Sequence, residues 1–162
     1  MTVIANSKIN PCLWFEGNAE AAARFYTSLF PNSSIDRIQL SPTDTPGNKE
    51  GDALLVLFTL ANCSFQALNG PKHDTFNDAV SLSVCCEDQT EVDRYWDALT
   101  ANGGKPVACG WLKDKFGLSW QIIPRRLPVL LADPDAARAK RVMEAMMKMV
   151  KIDVAVLEAA AA

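Results

Sequence analysis

Ser64-Phe65-Gln66-Ala67-Leu68 recurs 55 positions later as Ser119-Trp120-Gln121-Ile122-Ile123. Both copies read serine, aromatic, glutamine, any residue, aliphatic. Successive side chains of an extended strand point to opposite faces, so Gln66 and Gln121 belong to one face of their strands and Phe65 and Trp120 to the other. Working outward, Arg24-Phe25-Tyr26 returns 70 positions later as Arg94-Tyr95-Trp96, and Leu13-Trp14-Phe15 returns 69 positions later as Leu82-Ser83-Val84. Three segments repeated in the same order point to an internal duplication.

The stretches between them have the same grammar in each half. Residues 8–15 are a mostly apolar run with Pro11 inside, which suits an edge strand. Asn18 caps a helix over 19–30, in which Ala22, Phe25, Tyr26, Leu29 and Phe30 recur at helical spacing, and Pro31-Asn32 stops it. Strands follow over 34–40, 53–60 and 63–68, with a polar loop over 41–50 and an Ala61-Asn62 turn. The second half gives a strand over 79–86 and a helix over 89–101 with Val92, Tyr95, Trp96 and Leu99 on one face. Gly103-Gly104 ends that helix, and strands over 106–109, 111–115 and 118–123 complete the half. The expected fold is α+β: βαβββ modules over 1–70 and 71–125, and a helical extension over 126–162, all in one domain. In the extension, Asp133-Pro134-Asp135 marks a helix start. The helix runs to about Met149 and a shorter one follows over 154–160. Its face of Val142, Met143, Met146, Met149 and Val150 suits either the protein's own sheet or a partner subunit.

Composition removes several function classes. The 162 residues carry 16 Lys and Arg against 19 Asp and Glu, and a net charge of −3 gives no basic stripe for nucleic acid. The single histidine, His73, excludes any site built on several imidazoles of one chain. The five cysteines (12, 63, 85, 86 and 109) are odd in number, none forms a CxxC pair, and each sits in or beside an apolar stretch. They are expected to be buried, reduced and inert. No signal-peptide core and no membrane-length apolar run is present, so a cytoplasmic protein is expected.

Pro11-Cys-Leu-Trp-Phe-Glu-Gly17, the helical stretches 20–26 and 89–99, Lys151-Ile-Asp153 and above all Cys109-Gly-Trp-Leu-Lys-Asp-Lys-Phe-Gly-Leu-Ser-Trp-Gln-Ile-Ile-Pro124 carry a resemblance. They resemble the PhnB-like branch of the vicinal oxygen chelate superfamily, which includes glyoxalase I, bleomycin-resistance proteins and extradiol dioxygenases. The resemblance spans nearly the whole chain. It implies paired βαβββ modules whose sheets curl around a cavity, usually in a homodimer. Some members of the branch carry the label 3-demethylubiquinone 3-methyltransferase.

In metal-dependent members of the superfamily the ligands come from the start of each module's first strand and from its last strand. By resemblance these positions fall on Asn10, Gln66, Ala79 and Gln121, which are three neutral amides and a methyl group. Divalent ions need anionic or imidazole donors, so no tightly bound metal is expected. No Gly-x-Gly-x-x-Gly turn follows a strand, so methyl transfer is disfavoured and no cofactor is expected. By strand parity the cavity would be lined by Asn10, Cys12, Trp14, Gln66, Ser81, Ser83 and Gln121, with Cys85 beside them. Such a lining suits a small, neutral, partly aromatic or amphipathic ligand. A nucleophilic cysteine would need a base, and the only imidazole, His73, lies in the loop joining the modules. Asp114, between Lys113 and Lys115, is the carboxylate with a possible polar role; a turn or an ion pair is its other use. The expectation is a small-molecule binding or sequestering protein. The alternative is a metal-dependent lyase, isomerase or dioxygenase with Gln66 and Gln121 as weak ligands.

Overall fold

The computed structural model describes residues 8–72 and 75–162, so His73 and residues 1–7 lie outside the described residues. The chain divides into two compact units, Met1–Asp74 and Thr75–Ala162. The fold is α+β, with a mixed four-stranded sheet in each unit. Among the described residues no helix is long and apolar enough to cross a membrane.

The first unit runs β1 (Cys12–Phe15), α1 (Ala19–Leu29), β2 (Ser34–Leu40), β3 (Ala53–Leu60) and β4 (Cys63–Asn69). Its sheet has the order β1-β4-β3-β2, with β1 parallel to β4 and the other pairs antiparallel. The edge strand starts just after Pro11, whose ring cannot donate to a ladder and whose carbonyl instead accepts from Gln66 N–H at 2.9 Å. Burial alternates along β4, where Phe65, Ala67 and Asn69 are buried and Ser64, Gln66 and Leu68 are half-buried. The buried row joins Leu13, Phe15, Val56 and Phe58 beneath Ala19, Ala22, Ala23 and Tyr26 of α1. Each large side chain removed from water there contributes about 1.5–3 kcal/mol.

Helix α1 corrects one expectation. Asn18 stands at its N-terminus, but its side chain makes no cap. The cap comes from the far end of the sheet: Ala19 N–H donates to Asn69 Oδ1 at 2.9 Å. Asn69 Nδ2 donates to Ala53 O at 2.8 Å, and Asn69 O accepts from Asn48 Nδ2 at 3.0 Å. One buried asparagine therefore joins helix, sheet and the 41–52 loop, the first two through its side-chain amide and the loop through its main-chain carbonyl.

The second unit repeats the plan with β5 (Leu82–Cys86), α2 (Gln89–Thr100), a short 3₁₀ turn (Ala101–Gly103), β6 (Lys105–Pro106), β7 (Trp111–Lys113) and β8 (Ser119–Pro124). The order is β5-β8-β7-β6, again with the first and last strands of the module parallel. Asp88 caps α2 by accepting from Glu91 N–H. Cys12 stands opposite Gln66 and Ser83 opposite Gln121, so Cys12 and Ser83 are equivalent. Leu13 accordingly matches Val84, two residues beyond the Leu82 suggested by sequence. Ala79 lies in a turn before β5, and the residue equivalent to Asn10 is Ser81. The connection from β5 to α2 is one residue shorter than its counterpart, which hides the register in the sequence.

The extension belongs to the second unit and forms α3 (Arg126–Leu131), α4 (Ala136–Met146) and α5 (Val154–Ala161). Helix α3 was not expected, and α4 begins later and ends earlier than expected. Asp135, not Asp133, caps α4 by accepting from Ala137 N–H. Leu127, Leu130, Val142, Ile152 and Leu157 form a buried cluster against which Ile123 of β8, Met146 and Met149 pack. Met143 and Val150, expected on the same face, are 39% and 50% exposed. The extension thus covers its own sheet.

Candidate functional site

On the face of the second sheet opposite α2, β5, β7 and β8 place Ser83, Trp111 and Gln121 in one cross-strand row. Cys85 and Ile123 form the next row. Together with Cys109 these residues make one wall of a cavity of about 480 Å³. The facing wall is Leu127, Pro128 and Leu131 of α3 and Met146 of α4. Among the described residues no charged side chain bounds it. Gln121 Nε2 donates to Ser81 Oγ at 2.9 Å, which fixes the amide across the floor.

Cys109 enters the cavity from the β6–β7 turn with a left-handed backbone (φ 52), and Gly110 follows at φ 84. A Cβ at Gly110 would sit 2.9 Å from Ile122 O, so only glycine fits there. The turn is held by the extension, since Cys109 N–H donates to Met149 O at 2.8 Å and Gly110 N–H to Val150 O at 2.9 Å. The Gln89 amide brackets the same segment, donating to Ile152 O at 3.1 Å and accepting from Val154 N–H at 2.8 Å. Lys151 pairs with Asp93 at 2.7 Å. The pocket therefore depends on elements far apart in sequence.

At the other end of this face, Ser119 Oγ donates to Asp78 Oδ1 at 2.7 Å and Lys113 Nζ reaches the same oxygen at 3.1 Å. Those two groups hold the Asp78 carboxyl below its usual range. Asp114 lies on the opposite, helix-covered face and is 3% exposed. Its Oδ1 accepts from Phe116 and Leu118 N–H, and its Oδ2 accepts from the Trp120 indole at 2.9 Å. This carboxylate organises a hairpin and does not face the cavity.

The corresponding face of the first unit carries Cys12, Trp14 and Gln66. Arg37 stands in the row of Cys12, Leu57 and Gln66, where sequence reasoning placed no cation. Trp14 is pinned, its indole N–H donating to Pro71 O at 3.1 Å and its ring lying against Gly70. Asn10 precedes β1 and is half-buried.

Of the residues expected from sequence, the second-unit cavity gathers Ser83, Cys85 and Gln121, with Ser81 bonded to Gln121. Sequence reasoning missed Trp111, which extending strand parity from Gln121 to its neighbour would have found. Ile123 stands where parity with Gln121 puts it, whereas Cys109 and the four extension residues were missed. The cysteines need correcting as well: only Cys86 is buried, Cys109 is intermediate, and Cys12, Cys63 and Cys85 are exposed. Cys12 and Cys85 fall on the sheet faces turned away from α1 and α2, where parity overrides apolar neighbours in the sequence. Burial, with Glu91 adding to it, pushes the Cys86 thiol up to about 12.

Repeated βαβββ units with open mixed sheets define a protein of the vicinal oxygen chelate superfamily, the glyoxalase and bleomycin-resistance type. Within it, residues 7–123 match the family described as 3-demethylubiquinone-9 3-methyltransferase, and the chain belongs to this PhnB-like family. It is similar to a solved Bacillus cereus PhnB protein titled a putative 3-demethylubiquinone-9 3-methyltransferase, at 36% identity and TM-score 0.67 over 73% of this chain and 99% of that one. A Pseudomonas aeruginosa protein shares the fold at 19% identity and TM-score 0.59, covering 71% of this chain and 95% of its own. A glyoxalase/bleomycin resistance protein from Albidiferax ferrireducens aligns at 14% identity and TM-score 0.45 over 68% and 92% of the two chains. None of the curated proteins matches.

Neither group that these relationships bring to mind fits the residues present. With the register corrected, the metal-ligand positions hold Asn10 and Gln66 in one unit and Ser81 and Gln121 in the other. All are neutral, and Gln121 and Ser81 are bonded to each other. Neutral donors do not offset the dehydration of a divalent ion. Among the described residues no three His, Cys, Asp or Glu side chains gather to hold a metal. S-adenosylmethionine carries a carboxylate and two cationic centres, and among the described residues the second-unit cavity offers no charged side chain to meet them. The turn from β5 into α2 is filled by its own acids: Asp88 accepts from Glu91 N–H, and Glu91 Oε2 accepts from Glu87 N–H.

Proposed function

We propose that this protein binds or sequesters a small organic molecule without a tightly bound metal, acting as a cytoplasmic homodimer. The supporting observation is the second-unit cavity, concave, largely apolar and furnished with one fixed amide, a hydroxyl and an indole. Such a combination orients a ligand without transforming it. The neutral set at the superfamily's ligand positions favours this over a metal-dependent lyase, isomerase or dioxygenase. Methyl transfer is disfavoured by the uncharged cavity.

Thermal shift against a panel of divalent metals and a library of organic metabolites tests the reading. A ligand present at about 100 times its dissociation constant adds about 2.7 kcal/mol of stability. Stabilisation by organic compounds alone is expected; stabilisation by metals alone would favour the enzyme. Metal analysis of protein purified without chelator is expected to find no stoichiometric zinc, nickel or iron.

A further inference from the structure

We propose that the C-terminal extension makes the second-unit cavity selective for uncharged, flat aromatic molecules that carry a hydrogen-bond donor. This rests on the reading that the cavity binds a small molecule, and it adds the class of ligand and the element that sets it. The extension supplies a wall of carbon and thioether only, from Leu127, Pro128, Leu131 and Met146. Since no described side chain around the cavity is charged, a carboxylate or ammonium entering it would shed water and find no counter-ion among them.

What the cavity does offer is polarizable. The Trp111 indole and the sulfurs of Cys85, Cys109 and Met146 border one space, and both kinds of surface favour contact with aromatic rings. The directional contact is Gln121. Its Nε2 is committed to Ser81, and its Oε1 takes no hydrogen bond from a described residue, so it accepts from a ligand hydroxyl or N–H.

The duplication supplies an internal comparison. Val107 N–H donates to Trp111 O, which makes Val107 the counterpart of Arg37 in the first unit. The same row that carries a cation in one copy carries a valine in the other. Moreover, the extension follows the residues 7–123 shared with the family. The copy that the extension walls in is thus the one whose row lacks the cation.

Isothermal titration of the full chain with three naphthalenes tests the inference: 2-naphthol as the neutral donor, 2-naphthoate as the anion and 2-methoxynaphthalene as the neutral molecule without a donor. 2-Naphthol is expected to bind at least about tenfold more tightly than either of the others. Met146→Trp fills the cavity from the extension side and should weaken 2-naphthol at least about tenfold. Met147→Trp, at a neighbouring site 59% exposed and outside the wall, should not change it. Leu131→Trp gives the same readout from α3 if the first wall variant does not fold. Equal binding of 2-naphthoate, or full affinity in folded wall variants, overturns the inference. Should all three naphthalenes fail while another metabolite binds, this inference falls and the proposed function stands. If no small molecule binds at all, both fall.

Discussion

At the scale of single residues, Asp114 shows how a carboxylate can look chemical in sequence and be architectural in space. Flanking lysines made it a candidate for a polar role, yet both of its oxygens are occupied inside one hairpin. Asp114→Ala strands buried donors and should cost about 3 kcal/mol in urea unfolding, with ligand affinity of the folded protein unchanged. Lost affinity at unchanged stability would assign it to the site after all. The partner in that bond, Trp120, was legible as a helix-facing aromatic from strand alternation alone. The bond itself was not, because parity gives a side chain its face and never its neighbour. Cys86 makes a second residue-scale prediction. With its pKa near 12, only about one part in ten thousand is thiolate at pH 8. Mass spectrometry of native protein treated with iodoacetamide should find Cys86 modified last, after the exposed Cys12, Cys63 and Cys85.

At the scale of elements, local signals were read well where the partners are local. The limits of β2 and β3 coincide with the strands expected over 34–40 and 53–60, since alternation and flanking turns are contained within each segment. Signals failed where a partner comes from a distance. Asn18 has the right identity and position to cap α1, but the side chain that caps it is Asn69, 50 residues away. Asn69→Ala should therefore behave as a helix-cap deletion and a buried-amide deletion together, lowering stability by about 2 kcal/mol. Asn18→Ala should change it by no more than a few tenths. Comparable losses from both variants in chemical denaturation would contradict the assignment. The register of β5 was missed for a related reason: a one-residue difference in the turn after a strand is invisible to a pattern search, whereas hydrogen bonding to β8 fixes it.

At the scale of the whole molecule, the duplication was legible because two copies of one plan leave matched residues along the chain. The cavity was only half legible. Its sheet wall follows from strand parity, while its other wall is built by an extension with no repeat to align it to, including a helix, α3, that carried no cap signal. The Lys151–Asp93 pair is one of the contacts that fasten that extension. Lys151 and Gln89 hold the Asp93 carboxyl below its ordinary 3.8 through hydrogen bonds, and Asp93 raises Lys151 above its ordinary 10.5. A lowered carboxyl stabilises above its ordinary value and loses that contribution as pH falls through the lowered one. A raised amine stabilises fully below its ordinary value and loses its contribution as pH climbs through the raised one. Lys151→Met should thus cost about 0.5 kcal/mol near neutrality. The difference in Tm from wild type should close on acidification below pH 3.8 and on alkalinisation above pH 10.5. A difference that persists at both extremes would remove the ion pair from the account.

The bonds from Cys109 and Gly110 to the extension have a consequence for behaviour in concentrated solution. Strand β6 spans only two residues, and the turn beyond it presents main-chain donors at the sheet's margin beside Ile123 and Leu127. Carbonyls of Met149 and Val150 occupy those donors much as an added strand would. Were the extension to lift away, a second chain could pair there, which is how exposed edges seed aggregation. Ile152→Ala, which hollows the cluster beneath the extension by removing a fully buried side chain, should cost about 3 kcal/mol. Light scattering on heating should then rise before the far-ultraviolet signal is lost, because the guard comes off while the sheet it guards is still intact.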